Sequence, residues 1–303
     1  MLKRKALKKI YLTTLVLFIM LIIISFDHLK INKDKNILET EYVSNFKVGH
    51  LYLLNEDNYL VKVDVLLKNN TINNISYLLK ELSVNNKKFS PLKGFIPSNT
   101  TINSIVVENR IAKIDFSKDL LKVNKNLEEK VIEGIVYTIL ELEEISDVQI
   151  TLDGKQLGKL EKSNKTLPIL LNQSFGINKN YEINNMKDIE KVVIYYVCNI
   201  NNNDYFVPVT KYVNSKDSKI KIIIDSLKGS THIGTNLSSY LNREMDINFQ
   251  IDKDVLTLTF DSLNDSNLES VTYSLASSIF DSMDIKKVIF EVDSKIIDII
   301  IKD

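Results

Sequence analysis

Apolar and polar positions along the chain follow two periods, and their order predicts a run of short elements. Leu51 to Leu54 lead through a polar turn, Asn55-Glu56-Asp57-Asn58, into Tyr59 to Leu67, where Leu60, Val63, Val65 and Leu67 are apolar. That pattern is a β-hairpin. Ile75, Leu78, Leu79 and Leu82 then share one helical stripe, which predicts a helix over about Ile72 to Leu82 with Thr71 as its N-cap. Pro97-Ser98-Asn99 turns the chain into a strand from Ile102 to Val107, and Asn109-Arg110 turns it into another from Ile111 to Phe116. A second helix is expected over about Leu127 to Glu143, followed by a strand from Val148 to Leu152.

The same order is written a second time. Asp147-Val148-Gln149-Ile150-Thr151-Leu152-Asp153-Gly154-Lys155 corresponds, 140 positions on, to Lys287-Val288-Ile289-Phe290-Glu291-Val292-Asp293-Ser294-Lys295. Val131, Ile135 and Ile139 have counterparts Val271, Leu275 and Ile279 at the same offset. Ile111 to Ser117 matches Val255 to Asp261 at an offset of 144, and Tyr59-Leu60-Val61 matches Tyr205-Phe206-Val207 at 146. An offset that holds within elements and drifts between them is what loop insertions leave in diverged copies. The second copy therefore reads as strands Val192 to Val197 and Tyr205 to Val213, a helix Lys219 to Leu227, strands Ile247 to Ile251 and Val255 to Phe260, a helix Leu268 to Met283, and a strand Val288 to Val292.

Two helices with one apolar stripe each cover one face of a small sheet. The expected fold is α+β: two tandem homologous two-layer domains, each a small mixed sheet with two helices, after an N-terminal transmembrane helix. The domains are expected at 48–172 and 191–303. Asn172 to Asp188, rich in Asn, Lys and Gly without a sustained period, reads as a linker, taken as 173–190. The rows Val131-Ile135-Ile139 and Val271-Leu275-Ile279 are expected to point into two separate cores.

Composition changes this picture only at the N-terminus. The 303 residues are 44% hydrophobic and 26% charged, as in folded proteins, with 39 basic and 39 acidic groups. Five of the basic ones (Lys3, Arg4, Lys5, Lys8, Lys9) stand in the first nine residues, so the remainder is mildly acidic and lacks the basic face that nucleic acid requires. After that cluster, the 17 residues Ile10 to Phe26 carry no charge. As a helix they would span about 25 Å, enough for an anchor. No small-x-small cleavage site follows, so the segment reads as an uncleaved single-pass anchor. The order is a cytoplasmic basic segment 1–9, a transmembrane anchor 10–26 and a tether 27–47, with the later domains outside the cell membrane.

Candidate chemistry is sparse. Cys198 is the only cysteine, and it reads as a plain buried thiol at the end of an apolar strand. His28, His50 and His232 lie far apart, without metal-ligand spacing. Gly158 to Ser163 lacks the order of a phosphate loop, and no G-x-S-x-G elbow is present. Asp115 reads as a strand-end residue capping the following turn, and its counterpart is Thr259, which leaves no acid-base role common to both copies. Glu141, Glu143 and Glu144 read as a solvated helix end. Tyr195, Tyr196, Tyr205 and Tyr212 could form a recognition surface, but strand alternation places half of them in the core. No catalytic, cofactor-binding or metal-binding residue is assigned, and the partner-binding residues stay open.

The repeat resembles the GerMN domain family. Leu51-Tyr52-Leu53, Tyr59-Leu60-Val61, Phe95-Ile96-Pro97-Ser98-Asn99-Thr100, Ile111 to Ser117 and Ile135-Val136-Tyr137-Thr138-Ile139 running into Val148 to Lys155 carry the likeness. In the second copy Leu227-Lys228-Gly229-Ser230 is similar to the family's helix-ending Leu-Lys-Gly-Pro. The second copy lacks the Ile-Pro-Ser-Asn turn, and a transmembrane helix stands where the family's sporulation member has a lipidated cysteine. The resemblance implies a non-enzymatic sporulation and germination protein without cofactors. It would act outside the membrane, through protein partners, to help place a transenvelope channel complex between mother cell and forespore. The alternatives are an accessory or regulator of a peptidoglycan-modifying enzyme, and a binding module for a small extracellular ligand.

Overall fold

A β-hairpin followed by a four-stranded mixed sheet recurs along the chain, the second hairpin being widened by a short strand on each side into a four-stranded sheet. The computed structural model describes residues 46–68, 70–228, 235–263 and 267–302. The expected anchor 10–26, nearly all of the tether, and His28 and His232 lie outside these residues. Among the described residues, no helix is long and apolar enough to cross a membrane.

In the first copy, β1 (Phe46–Leu54) pairs antiparallel with β2 (Leu60–Lys68), so the first strand begins inside the expected tether. Helix α1 (Thr71–Glu81) follows. Its N-cap is Asn70 rather than Thr71, because the Asn70 side chain accepts the Asn73 N–H at 2.9 Å from an extended backbone position. β3 (Ile102–Glu108), β4 (Ile111–Phe116), β5 (Asp147–Leu152) and β6 (Lys155–Gln156) form a sheet in that order. β4 and β5 run parallel, and a parallel pair needs a long crossover. Helix α2 (Glu128–Leu140) supplies it.

After β7 (Asn180–Glu182), the second copy repeats the plan. β8 (Ile189–Ile200) and β9 (Asn203–Asn214) form the hairpin, and α3 (Lys219–Lys228) follows. The short β10 (Leu237–Ser238) adds to β8. β11 (Ile247–Asp252), β12 (Val255–Phe260), β13 (Lys287–Val292) and β14 (Lys295–Ile301) make the mixed sheet, with α4 (Leu268–Ser282) as the crossover between the parallel strands β12 and β13.

Three sequence expectations change. First, the hairpin is a sheet of its own, and α2 is enclosed between it and the mixed sheet. Every residue from Val131 to Ile139 is buried, not one stripe. Gly134 makes this packing possible, since a Cβ there would stand 2.3 Å from Phe95 Cζ. Secondly, Val131, Ile135, Ile139, Val271, Leu275 and Ile279 all belong to one contiguous core, not two. Residues from Phe46 onward form a single compact unit.

Thirdly, part of the segment expected as a linker, Gly176 to Asn178, is built into that core, while residues 181–189 are exposed. Asn178 is 1% exposed and adopts a left-handed backbone, φ 49°. Its side chain accepts the Leu60 N–H at 2.9 Å and donates to the carbonyls of Leu60 and Pro208 at 2.8 Å each. One amide thus ties β2 of the first copy to β9 of the second, acting as a one-residue strand between them. Beside it Lys179 pairs with Glu129 and Glu133 and lies 3.5 Å from the centre of the Phe175 ring. Burial raises the Glu133 carboxyl, while Lys130 and Lys179 oppose that shift. Asn178 and Lys179 make these bonds, while the other Asn and Lys residues from 181 to 189 are exposed.

Candidate functional site

A cleft of about 450 Å³ lies where the two copies meet, walled by Tyr52, Tyr137 and Glu141 from the first and Tyr195, Tyr273 and Asp281 from the second. The repeat builds it twice over. On β1 the Tyr52 N–H donates to Thr138 Oγ1 of α2 at 3.1 Å, and the Tyr52 hydroxyl donates to Glu141 at 2.7 Å. On β8 the Tyr195 N–H donates to Ser278 Oγ of α4 at 2.9 Å, and its hydroxyl donates to Asp281 at 2.7 Å. In each copy a helix hydroxyl covers a strand amide, and the acid three residues later takes the phenol. These bonds join the hairpin to the helix.

The surroundings of the two acids differ. Glu141 also receives His50 Nδ1 at 2.7 Å and has Lys62 Nζ at 3.5 Å. Burial would raise its pKa, but the His50 hydrogen bond and the Lys62 charge outweigh it and bring it to about 2. The imidazole's other nitrogen faces Asp64 at 3.3 Å. Lys62 stands opposite Tyr52 in the hairpin, whereas Pro208 stands opposite Tyr195. The second copy therefore has no lysine at that place. Asp281 keeps Tyr195 as its hydrogen-bond donor and opens to solvent through the cleft. Desolvation by the protein packed around the cleft raises the Asp281 carboxyl above the ordinary value, against the Tyr195 bond and the more distant Lys62 and Lys302 charges.

This geometry separates residues that the sequence groups together. α2 ends at Leu140, so Glu141 turns into the cleft with its side chain 19% exposed, while Glu143 stays at the surface beside Lys47. The reading of all three glutamates as a solvated end holds for Glu143 and Glu144 but fails for Glu141. His50 and Tyr195 join it at the cleft. Tyr196 is also buried, because β8 is covered on both faces from Val192 to Cys198. Tyr205 packs partly against the core, and Tyr212 stacks on Tyr181 at 4.9 Å.

Cys198 is a buried thiol, taking an Asn55 N–H at 3.7 Å, and burial raises its pKa. Asp115 caps a turn, but the one after β5: it accepts from Thr151 at 2.6 Å and from the Gly154 N–H at 2.9 Å, and these bonds lower its pKa. Sequence reasoning missed Tyr52, Lys62, Ser278 and Asp281. Aligning Leu51-Tyr52-Leu53 with Ile194-Tyr195-Tyr196 would have exposed the shared tyrosine.

Chemically the cleft is a clasp. Glu141 is held as a carboxylate by three donors, and the Tyr52 and Tyr195 phenols are already committed to acids. Among the described residues, no group of three or more His, Cys, Asp or Glu is placed to hold a metal ion.

The Germane family model, described as "Sporulation and spore germination", matches residues 50–158. "Spore germination protein GerM" of Bacillus subtilis (strain 168) is 23% identical over 254 residues, covering 82% of this chain and 66% of that protein. The chain thus spans just under two thirds of the length of this relative. A solved structure, "Tandem GerMN domains of the sporulation protein GerM from Bacillus subtilis", matches with a TM-score of 0.72 at 20% identity, over 82% of this chain and 92% of that one. The tandem fold is therefore common to both.

Proposed function

We propose, from the match of residues 50–158 to the Germane family of sporulation and spore germination, that the chain serves spore development as a non-enzymatic interaction module. In this reading the helix 10–26 anchors it, the N-terminus is cytoplasmic, and both copies stand outside the cell membrane. There they contact protein partners and help place a transenvelope complex between mother cell and forespore. Neither nucleic acid nor a small-molecule substrate takes part. The observation that carries the reading is the extent of the likeness: it runs through both copies, not one domain alone. The commitment of Glu141 and Asp281 to the Tyr52 and Tyr195 phenols supports a structural role.

The test is deletion in the source organism followed by a count of heat-resistant spores, with a fluorescent fusion observed during sporulation. A severalfold loss of spores and a fusion gathered at the mother cell–forespore boundary are expected. Normal spore yield, or release of fragments from purified peptidoglycan by the protein, would overturn the proposal.

A further inference from the structure

The outer faces of the two mixed sheets have diverged in opposite ways. In the first copy the polar side chains of this face on β4, β5 and β6 pair with one another, beside the exposed Val106 of β3. Gln149 Nε2 donates to Gln156 at 2.7 Å, Lys113 pairs with Glu108 at 2.7 Å, and Thr151 donates to Asp115. At the constant offset of 140, the hydrogen-bonded pair Gln149 and Gln156 becomes Ile289 and Ile296. β14 then extends the face with Ile299 and Ile301, where β6 stops after two residues.

Register places these side chains together. Ile299 lies opposite Ile289, Ile301 opposite Lys287, and Ile296 opposite Glu291, whereas Val288 and Phe290 point the other way into the core. Ile296, Ile299 and Ile301 are 58%, 43% and 64% exposed. Isoleucines in place of a glutamine pair cost solubility unless something covers them. Among the described residues, no ion pair engages Lys287 or Glu291.

We infer that this face, from Ile289 on β13 to Ile296, Ile299 and Ile301 on β14, binds the same face of a second copy of this chain. The arrangement is self-complementary. Lys287, Ile289 and Glu291 are evenly spaced on one face, so a two-fold axis crossing the strands at the level of Ile289 sets Lys287 over Glu291 twice. The same operation sets Ile289 on Ile289, Ile299 on Ile299, and Ile301 on Ile296. Every apolar position meets an apolar one, and every charge meets its opposite, as an isologous interface requires. Two strands of this length present a flat area of roughly 200 Å². Stable complexes use about 800 Å² per partner. Self-association is therefore weak and rises with concentration.

The test uses the full chain with Ile289→Cys and a short bis-maleimide. The buried Cys198 of the unsubstituted chain is the control. Ile289→Cys should give a cross-linked dimer, and adding Ile299→Asp should reduce it about tenfold by setting two carboxylates in an apolar contact. Lys287→Glu or Glu291→Lys alone should weaken the dimer, and the two together should restore it, since the swap rebuilds both pairs. Both charges lie at the surface, so these variants leave the core untouched. Absence of the dimer, its persistence with Ile299→Asp, failure of the swap to restore it, or cross-linking to a different protein would each overturn the inference. So would sedimentation of the unsubstituted chain as a monomer at every concentration up to about 1 mM.

Discussion

Tyr52 and Tyr195 hold the same place in the two copies: each gives its amide to a helix hydroxyl and its phenol to the acid three residues further along the chain. The pair also locates where the copies differ in length. Tyr195 follows Tyr52 by 143 positions, but their strand partners Pro208 and Lys62 are 146 apart. The second hairpin is thus three residues longer toward its tip. Lys62 in one copy and Pro208 in the other then give the two acids different electrostatics.

That difference predicts unequal effects for equivalent substitutions. Glu141→Gln removes a carboxylate that three donors stabilise, and should cost about 2–3 kcal/mol at pH 7. Asp281→Asn keeps an acceptor for the Tyr195 hydroxyl while removing a charge that its surroundings disfavour. It should be neutral or slightly stabilising. Urea melts of both variants at pH 7 check the pair, and equal losses would contradict the assigned environments.

Acid should act through Glu141. Its folded pKa is about 2, below the ordinary value of about 4.3, so its contribution is fully present above the ordinary value and lost as pH falls toward 2. The linked loss is on the order of 3 kcal/mol. Comparing melts at pH 6 and pH 3, the unsubstituted chain should lose more stability than Glu141→Gln. A loss of the same size in both would remove Glu141 as the source.

Asn178→Ala should be among the most damaging changes in the segment between the copies. It leaves the Leu60 amide and the Leu60 and Pro208 carbonyls without this partner, and places alanine at a positive φ. The expected cost is about 2–4 kcal/mol. Hydrogen exchange should also speed up at the Leu60 amide. Unchanged exchange there would mean that the side chain does not bridge the hairpins.

Much of the architecture was readable because it depends on local pattern. The strand from Ile111 to Phe116 was bounded correctly, since Asn109-Arg110 turns the chain into it and Ser117 lies beyond it. The repeat was readable because the offset of 140 survives in both β-strands and helices. Glu141 was not readable, since its character comes from His50 and Lys62, far away in sequence on a different hairpin. Nor was Asn178, because a buried amide and a solvated one look alike in an Asn-rich stretch. The burial of α2 on all sides was hidden by Glu133 and Thr138, polar residues whose partners Lys179 and Tyr52 are supplied by other segments.

The account rests on the two copies forming one cooperative body, and calorimetry of two core truncations tests that most directly. Ile135 and Leu275 are each 0% exposed, one in each copy. Ile135→Ala and Leu275→Ala should each cost about 2–5 kcal/mol of the roughly 5–15 kcal/mol that holds a folded body together. The account predicts a single transition in the unsubstituted chain, displaced as a whole to lower temperature by either substitution. Two transitions, with Ile135→Ala moving only one and Leu275→Ala only the other, would contradict it.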